Sequence, residues 1–331
     1  VPEDQVSWHK PRCRNFSETA SQQLLGQLKR EGAPLGIHNR SSRANWFSTH
    51  VWQDKVSPSS SSCRAIGSDE RGRTLRMGSW NIEHLAQPGK YDQITQHMRD
   101  LRLDILCIQE TKQQDTSQIL RKDGYLWLFS GEPTEEGRHA GVGFVVSPKA
   151  RHLVFGFQAH SCRIASLKLR TRPRTVQLYS IYAPSLMRQR DEVDEERRAK
   201  FWEDLSTVYD AGTLAEVPVL AGDFNARLHA RKPDDPPCVG SAVWGDANVP
   251  ADDDPLLNRA SLLDFCTQRS LQIANTFFPR PAHRRITYRQ IGASPDCLTR
   301  LPAASPADFD ELDFVLIPTA RRNCIRHLGS D

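Results

Sequence analysis

The spacing of apolar positions changes near residue 73. Beyond it, Leu75, Met77 and Ser79 alternate with polar neighbours and run into Trp80-Asn81, the period of a strand with one buried face. Tyr91, Ile94, Met98 and Leu101 recur at spacings of 3, 4 and 3, which places them on one face of an amphipathic helix. Asp104–Ile108 is a short, nearly continuous apolar run, as expected of a strand covered on both faces. Further strands are predicted at Tyr125–Ser130, Ala140–Ser147, His152–Phe157, Arg163–Leu169 and Val176–Tyr182, near enough in sequence for antiparallel, hairpin-like pairing. Phe201, Leu205 and Val208 mark one face of a long helix, and the acidic run Asp191–Glu196 complements its N-terminal dipole. A strand at Val217–Leu220, a helix near Arg259–Gln268 and strands at Leu271–Ala274, Arg285–Tyr288 and Leu312–Ile317 complete the pattern. Residues 228–257, with Pro233, Pro236, Pro237 and the triplet Asp252-Asp253-Asp254, read as a long loop. So many mixed strands with so few helices imply an α/β fold of two packed mixed β-sheets flanked by helices.

Residues 1–72 have another texture. They hold twelve serines, including the run Ser59–Ser62, and no sustained period of 2 or 3.6. Only Gln22–Leu28 offers a short helix. The pattern predicts a mostly disordered leader or linker ahead of a folded domain at residues 73–331.

Composition narrows the class. No apolar run approaches the roughly 18 residues of a spanning helix, so no membrane partner is expected. The start lacks the charged and apolar regions of a secretory signal. Eight cysteines without a CxxC pair argue against a disulfide framework or zinc module and fit a reduced, intracellular compartment. The chain begins at Val1, as a piece of something longer would. Its net charge is +4, and the part beyond residue 72 is nearly neutral, so net charge does not point to nucleic acid. The basic residues are 34 Arg against 10 Lys, however, and Arg suits bidentate phosphate contact. Clusters occur at Arg170, Arg172 and Arg174, at Arg280, His283, Arg284, Arg285 and Arg289, and at Arg321 and Arg322. Each alone reads equally well as solvated surface.

Chemistry-bearing residues recur where the strands stop. The ends read Trp80-Asn81-Ile82-Glu83, Gln109-Glu110-Thr111-Lys112, Tyr182-Ala183-Pro184, Gly222-Asp223-Phe224-Asn225-Ala226 and Glu311-Leu312-Asp313-Phe314. Taken singly, most have ordinary readings: a solvated strand cap for Glu110, a turn for Asn81, a core tyrosine for Tyr182, an Asx turn for Asp223-Phe224-Asn225. Asp313, inside an apolar strand, demands a partner, because a lone buried carboxylate costs several kcal/mol, roughly. Strand ends of α/β proteins converge on one edge of the sheet, so the set together marks a cleft.

These motifs, in this order, resemble the endonuclease/exonuclease/phosphatase superfamily of metal-dependent phosphodiesterases and phosphatases. The form Gln109-Glu110-Thr111-Lys112 is similar to the apurinic/apyrimidinic and retroelement endonuclease branch. His139-Ala140-Gly141-Val142-Gly143-Phe144, Leu263-Asp264-Phe265-Cys266, Asn275-Thr276-Phe277-Phe278 and Ile286-Thr287-Tyr288-Arg289 further resemble the endonuclease domains of non-long-terminal-repeat retrotransposons and their craniofacial-development-like relatives. The resemblance covers about residues 73–331. It implies a DNase I-like four-layer α/β sandwich and phosphodiester hydrolysis, with DNA nicking as the first expectation. A phosphatase, an RNA-directed nuclease or a domesticated non-catalytic binding protein are the alternatives. Mg²⁺, with Mn²⁺ as substitute, is implied as cofactor, held by Glu110 with Asn81 and the extra carboxylate Glu83. Asp223 is implied to orient or deprotonate the attacking water, Asn225 and Tyr182 to hydrogen-bond the phosphoryl oxygens, and Asp313 to orient a histidine. Lys112, Thr287, Tyr288 and Arg289 are implied to contact DNA. A reverse-transcriptase domain follows in such elements, and a nuclear location goes with them. One departure matters: the family closes with Ser-Asp-His, whereas this chain ends Gly329-Ser330-Asp331. The expectation is a domain cut short of that histidine and therefore a poor nuclease as it stands, with neither His327 nor His139 taking its place.

Overall fold

The computed structural model describes residues 74–132, 140–185, 192–213, 216–245, 258–290, 293, 304–325 and 328. The predicted leader, the short helix at Gln22–Leu28, His139, His327 and the C-terminal Ser330-Asp331 lie outside them.

In chain order the first half forms β1 (Met77–Asn81), α1 (Lys90–Asp100), β2 (Ile105–Gln109), β3 (Thr116–Leu120), β4 (Leu126–Ser130) and β5 (Val142–Val146). β1 and β2 are parallel, joined through α1, and the remaining pairs are antiparallel, giving a five-stranded sheet of order β1-β2-β5-β4-β3. The second half forms β6 (Val154–Ser161), β7 (Ile164–Leu169), β8 (Thr175–Tyr182), α2 (Glu192–Asp210), β9 (Glu216–Asp223), α3 (Asn258–Gln268), β10 (Leu271–Ile273), β11 (Tyr288–Arg289), β12 (Phe309–Asp310) and β13 (Asp313–Pro318). Its six-stranded sheet runs β10-β13-β9-β8-β7-β6, with β8 and β9 parallel across α2, and β11 pairs with β12 in a small separate ladder.

Alternation along the strands builds the layers. Ile105 and Cys107 of β2, Val142, Phe144 and Val146 of β5, Val217 and Val219 of β9, and Val315 and Ile317 of β13 share the core between the sheets. The intervening Leu106, Ile108 and Val145 face the other way, where Ile94 and Met98 of α1 cover them. Tyr179, Leu220, Phe314 and Leu316 face away from the second sheet and meet Phe201, Trp202 and Leu205 of α2 and Leu262 and Phe265 of α3. Each such fully buried apolar side chain contributes about 1.5–3 kcal/mol, and the result is helix, sheet, sheet, helix. This is the DNase I-like sandwich that the strand-end motifs lead one to expect. Among the described residues no helix is long and apolar enough to cross a membrane.

Several boundaries differ from the sequence reading. β3 has no counterpart in it: Thr116–Leu120 is an exposed edge strand, so no apolar alternation announces it. His152 belongs to a 3-10 turn, Arg151–Leu153, and the strand begins only at Val154. Ala274, expected to end a strand, opens another 3-10 turn, Ala274–Phe277. Arg285–Tyr288 is not a strand. A 3-10 turn occupies Ala282–Arg284 after Pro281, and the two-residue partner β12 limits β11 to Tyr288–Arg289.

Candidate active site

The parity that fills the inter-sheet core carries through to its polar end. Asn81 continues the Met77 face of β1, Tyr182 the Val176 and Leu178 face of β8, and Asp223 the Val217, Val219 and Ala221 face of β9. Asp313 begins the Val315 and Ile317 face of β13 and stands opposite Asp223 in the antiparallel register. All four side chains therefore emerge between the sheets at one mouth. Glu110 follows the last residue of β2, with a left-handed backbone (φ 52°).

Hydrogen bonds join these residues across the two sheets. Asn81 Nδ2 donates to Glu110 Oε1 at 2.7 Å and to Asp223 Oδ2 at 3.1 Å. The Tyr182 hydroxyl donates to the same Glu110 Oε1 at 2.8 Å. The Asn225 N–H donates to Asp223 Oδ1 at 2.8 Å, and Asn225 Nδ2 to the Ala183 carbonyl at 2.7 Å. Glu83 is exposed and sends only its N–H to Asn81 Oδ1, at 3.1 Å. Asn81, Glu110, Tyr182, Asp223 and Asn225 thus form one network, and Glu83 sits at its rim.

The backbone around this network is strained. Glu83, Glu110, Lys112 and Asn225 all have positive φ, between 46° and 62°, a region that costs non-glycine residues energy and collects at functional sites. Two glycines make the geometry feasible. A Cβ on Gly141 (φ 118°) would lie 2.3 Å from Thr111 Oγ1, and its segment receives the Thr111 and Lys112 N–H groups through the Gly141 and Ala140 carbonyls. A Cβ on Gly222 would lie 1.9 Å from the Ile181 carbonyl oxygen. Both close approaches fix a neighbouring carboxylate, Glu110 in one case and Asp223 in the other.

The electrostatics are those of crowded carboxylates in a dry place. Burial pushes Asp223 up to about 6, with the Glu110 charge adding to it, while the Asn225 N–H, the Asn81 amide and Arg227 pull the other way. Asp313 is raised well above the usual range, first by burial and then by the facing Asp223. Thr287 opposes that shift through a hydrogen bond to the Asp313 carboxylate. Burial also raises the Tyr182 phenol, reinforced by Glu110 and Asp223 and opposed by Arg163, so the hydroxyl remains a donor.

The residues expected to contact DNA divide. Thr287 is buried, and its Oγ1 accepts the N–H groups of Leu312 and Asp313 at 2.9 and 3.2 Å. Its position is that of a support for Asp313. Tyr288 is half-buried on β11, and burial raises its phenol, with the Arg227 charge opposing and Asp310, Asp223 and Glu83 adding to the rise. Arg289 Nη2 is engaged by the Ala293 carbonyl at 2.8 Å. The Lys112 side chain makes no hydrogen bond or ion pair among the described residues. Two residues that the sequence reading quoted within motifs without giving them a role also contribute. Asn275 braces the start of β13, donating to Glu311 Oε1 and the Asp313 carbonyl and accepting the Val315 N–H. Glu311 is itself buried, and burial pushes its carboxyl up to about 7.

Among the described residues no three His, Cys, Asp or Glu side chains form a chelating group. The oxygen donor at the mouth is the Glu110 carboxylate, close to Asp223. Asn81 turns its NH2 to both carboxylates and its Oδ1 to the Glu83 N–H, so its oxygen would join the set once the amide turns over. That set fits a hard divalent ion, which takes few carboxylates and keeps several waters. A cation there would also offset the burial and the Glu110 charge that raise Asp223.

The profile of the Endonuclease/Exonuclease/phosphatase family matches residues 78–331, both sheets but for Met77. This chain belongs to that family. Membership supports hydrolysis of phosphoester bonds as its chemistry. Among curated proteins it is similar to craniofacial development protein 2 of Tragulus javanicus, 25% identical over 301 residues, covering 91% of this chain and 46% of that protein. The Bos taurus protein of the same name is 25% identical over 250 residues, covering 76% and 37%. The chain thus spans less than half the length of either relative. Among solved structures, the catalytic domain of Xenopus laevis APE2 superposes with a TM-score of 0.51 at 14% identity, covering 74% of this chain and 82% of that domain. At that identity the likeness concerns the fold.

Proposed function

We propose that the protein is a divalent-metal-dependent phosphodiesterase that nicks DNA, of the retroelement endonuclease type, acting in the nucleus from a polypeptide that also carries a reverse-transcriptase domain. The observation that carries this reading is the network in which Asn81 and Tyr182 both donate to Glu110 while Asn81 also reaches Asp223.

Glu110 and Asn81 would hold the Mg²⁺ or Mn²⁺ ion, with Glu83 as an outer carboxylate. When bound, the ion supplies Lewis-acid stabilisation of the charge that builds on the phosphoryl oxygens. Asp223 accepts the proton of the attacking water. Its raised carboxyl, about 6, suits a base working near neutrality. Asn225 spends one amide hydrogen on Ala183 and has the other for a phosphoryl oxygen. Tyr182 donates to the same centre, and Asp313 stands ready to fix a histidine. Lys112 and Tyr288 border the mouth where flanking phosphates would pass.

Supercoiled plasmid with Mg²⁺ tests the reading, beside abasic duplex, RNA and inositol phosphates. The wild type should nick plasmid slowly, in keeping with the poor nuclease expected from its sequence, and Glu110→Gln should suppress that nicking by roughly 10²-fold or more without changing the unfolding transition. Wild-type nicking by the variant at sub-millimolar Mg²⁺ would remove Glu110 from the metal site. Hydrolysis of RNA or inositol phosphates but not plasmid would replace the substrate.

A further inference from the structure

Arg163 stands at the start of β7, beside the network, and none of the roles above uses it. Its guanidinium carbon lies 5.0 Å from the centroid of the Tyr182 ring, and Nη1 donates to the Tyr182 carbonyl at 3.4 Å. The Tyr182 N–H donates in return to the Arg163 carbonyl at 3.0 Å. One arginine therefore grips both the ring and the backbone of the residue whose hydroxyl meets Glu110.

The choice of partner is informative. Arg163 is half-buried, and a carboxylate is the ordinary companion of such a guanidinium. Glu110, Asp223 and Asp313 all lie at the same mouth, yet Arg163 makes no ion pair among the described residues. Its planar face is given to an aromatic ring within the roughly 6 Å at which cation–π attraction operates. The Tyr182 hydroxyl sits at the far end of that ring, so a small tilt carries it off Glu110, and a misplacement of about 1 Å at a reacting centre costs on the order of 10²-fold.

We propose that Arg163 is a positioning residue for hydrolysis, clamping the Tyr182 ring so that its hydroxyl stays on the Glu110 carboxylate. This rests on the reading of the site as a phosphoester hydrolase. A lysine at 163 keeps the charge but lacks the flat guanidinium, so it substitutes only in part.

The test uses protein labelled with ¹³C at the tyrosine ring carbon that bears the hydroxyl, free of metal and substrate. The chain has six tyrosines, few enough to resolve, and the Tyr182 signal is the one missing from Tyr182→Phe. Arg163→Ala should move or broaden that signal and leave the other five in place, with Arg163→Lys intermediate. In steady-state cleavage Arg163→Ala should lower kcat by roughly threefold to thirtyfold with KM unchanged, and add nothing further in a Tyr182→Phe background. An unmoved Tyr182 signal overturns the proposal. So do independent, multiplying losses in the double variant, or a raised KM with a shallower salt dependence, either of which would make Arg163 a direct phosphate contact. If the wild type hydrolyses no phosphoester, the functional reading fails, and the resonance experiment still decides whether the clamp exists.

Discussion

Replacing Glu311 by glutamine should stabilise the protein above neutral pH. Glu311 is buried, with Oε1 accepting from Asn275 Nδ2 at 2.9 Å. Burial raises its carboxyl from 4.5 to about 7, against the opposing pull of the Asn275 hydrogen bond and the Arg285 charge. Between those two values the folded protein keeps a proton that the unfolded chain has released. Stability is therefore fully present below about 4.5, falls as pH rises, and has lost this contribution once pH passes about 7. A gap of about 2.5 pH units at 1.36 kcal/mol each amounts to roughly 3 kcal/mol. Glutamine has the same shape, keeps an acceptor for Asn275 and does not titrate. Asp223 is raised in both proteins and imposes the same slope on each. Asp313, which burial and Asp223 raise first and the Glu311 charge raises further, is relieved in the variant, a change that adds to the difference in the same direction. Urea unfolding from about pH 4 to pH 8 should show the curves meeting at the acid end and separating by roughly 3 kcal/mol at the other, with Glu311→Gln the more stable. A pH-independent difference, or a wild type that gains on the variant as pH rises, would refute the reasoning. Arg285 would then be holding a comfortable charge at Glu311, and burial would not be the dominant influence.

Two further outcomes follow from the supports of the site. Thr287→Val keeps the shape but removes the acceptor of the Leu312 and Asp313 N–H groups and a hydrogen bond to the Asp313 carboxylate. Denaturant unfolding should show a loss of about 1–3 kcal/mol, and a loss near zero would mean that these N–H groups find other partners. Asn225→Gly retains the left-handed backbone while deleting the amide. Single-turnover cleavage should slow by roughly tenfold to a thousandfold with DNA affinity little changed, whereas weakened binding with unchanged cleavage would give Asn225 a different role.

The helical elements and the apolar strands were legible because their burial is periodic. Ile94 and Met98, or Phe201 and Leu205, are buried where spacing alone places them. β3 was not, because an exposed edge strand has no face to encode. The five polar strand ends could be read as a set because each interrupts an apolar run just where a strand must stop. The bracing role of Thr287 was not legible for a physical reason: its hydroxyl serves backbone N–H groups 25 and 26 residues away, and backbone partners leave no trace in residue identity. Arg163 was invisible as a site residue for a related cause. Its partner is the face of a ring across the β7–β8 pair, whereas the eye seeks a carboxylate for an arginine.

The placement of the network ties its chemistry to the register of the sheets. Along β9 the same alternation that puts Val217, Val219 and Ala221 into the inter-sheet core delivers Asp223 to its mouth, and the next residue, Phe224, turns to the helix-covered side. A slip of one residue would exchange them, burying a carboxylate among Trp202, Phe265 and Phe314 and sending an aromatic ring into the polar mouth. Gly222 guards against this, since the approach of its α-carbon to the Ile181 carbonyl leaves no room for a side chain at that point of the β8–β9 pair. The raised carboxyls of Asp223 and Asp313 have the same origin. They are acidic residues standing at positions that the fold otherwise reserves for valine, and their desolvation is a standing cost to stability that a bound cation at the mouth would offset. Register, strain and electrostatics thus meet at one edge of the sandwich, and a change that relaxes any of them there should stabilise the protein while blunting its site.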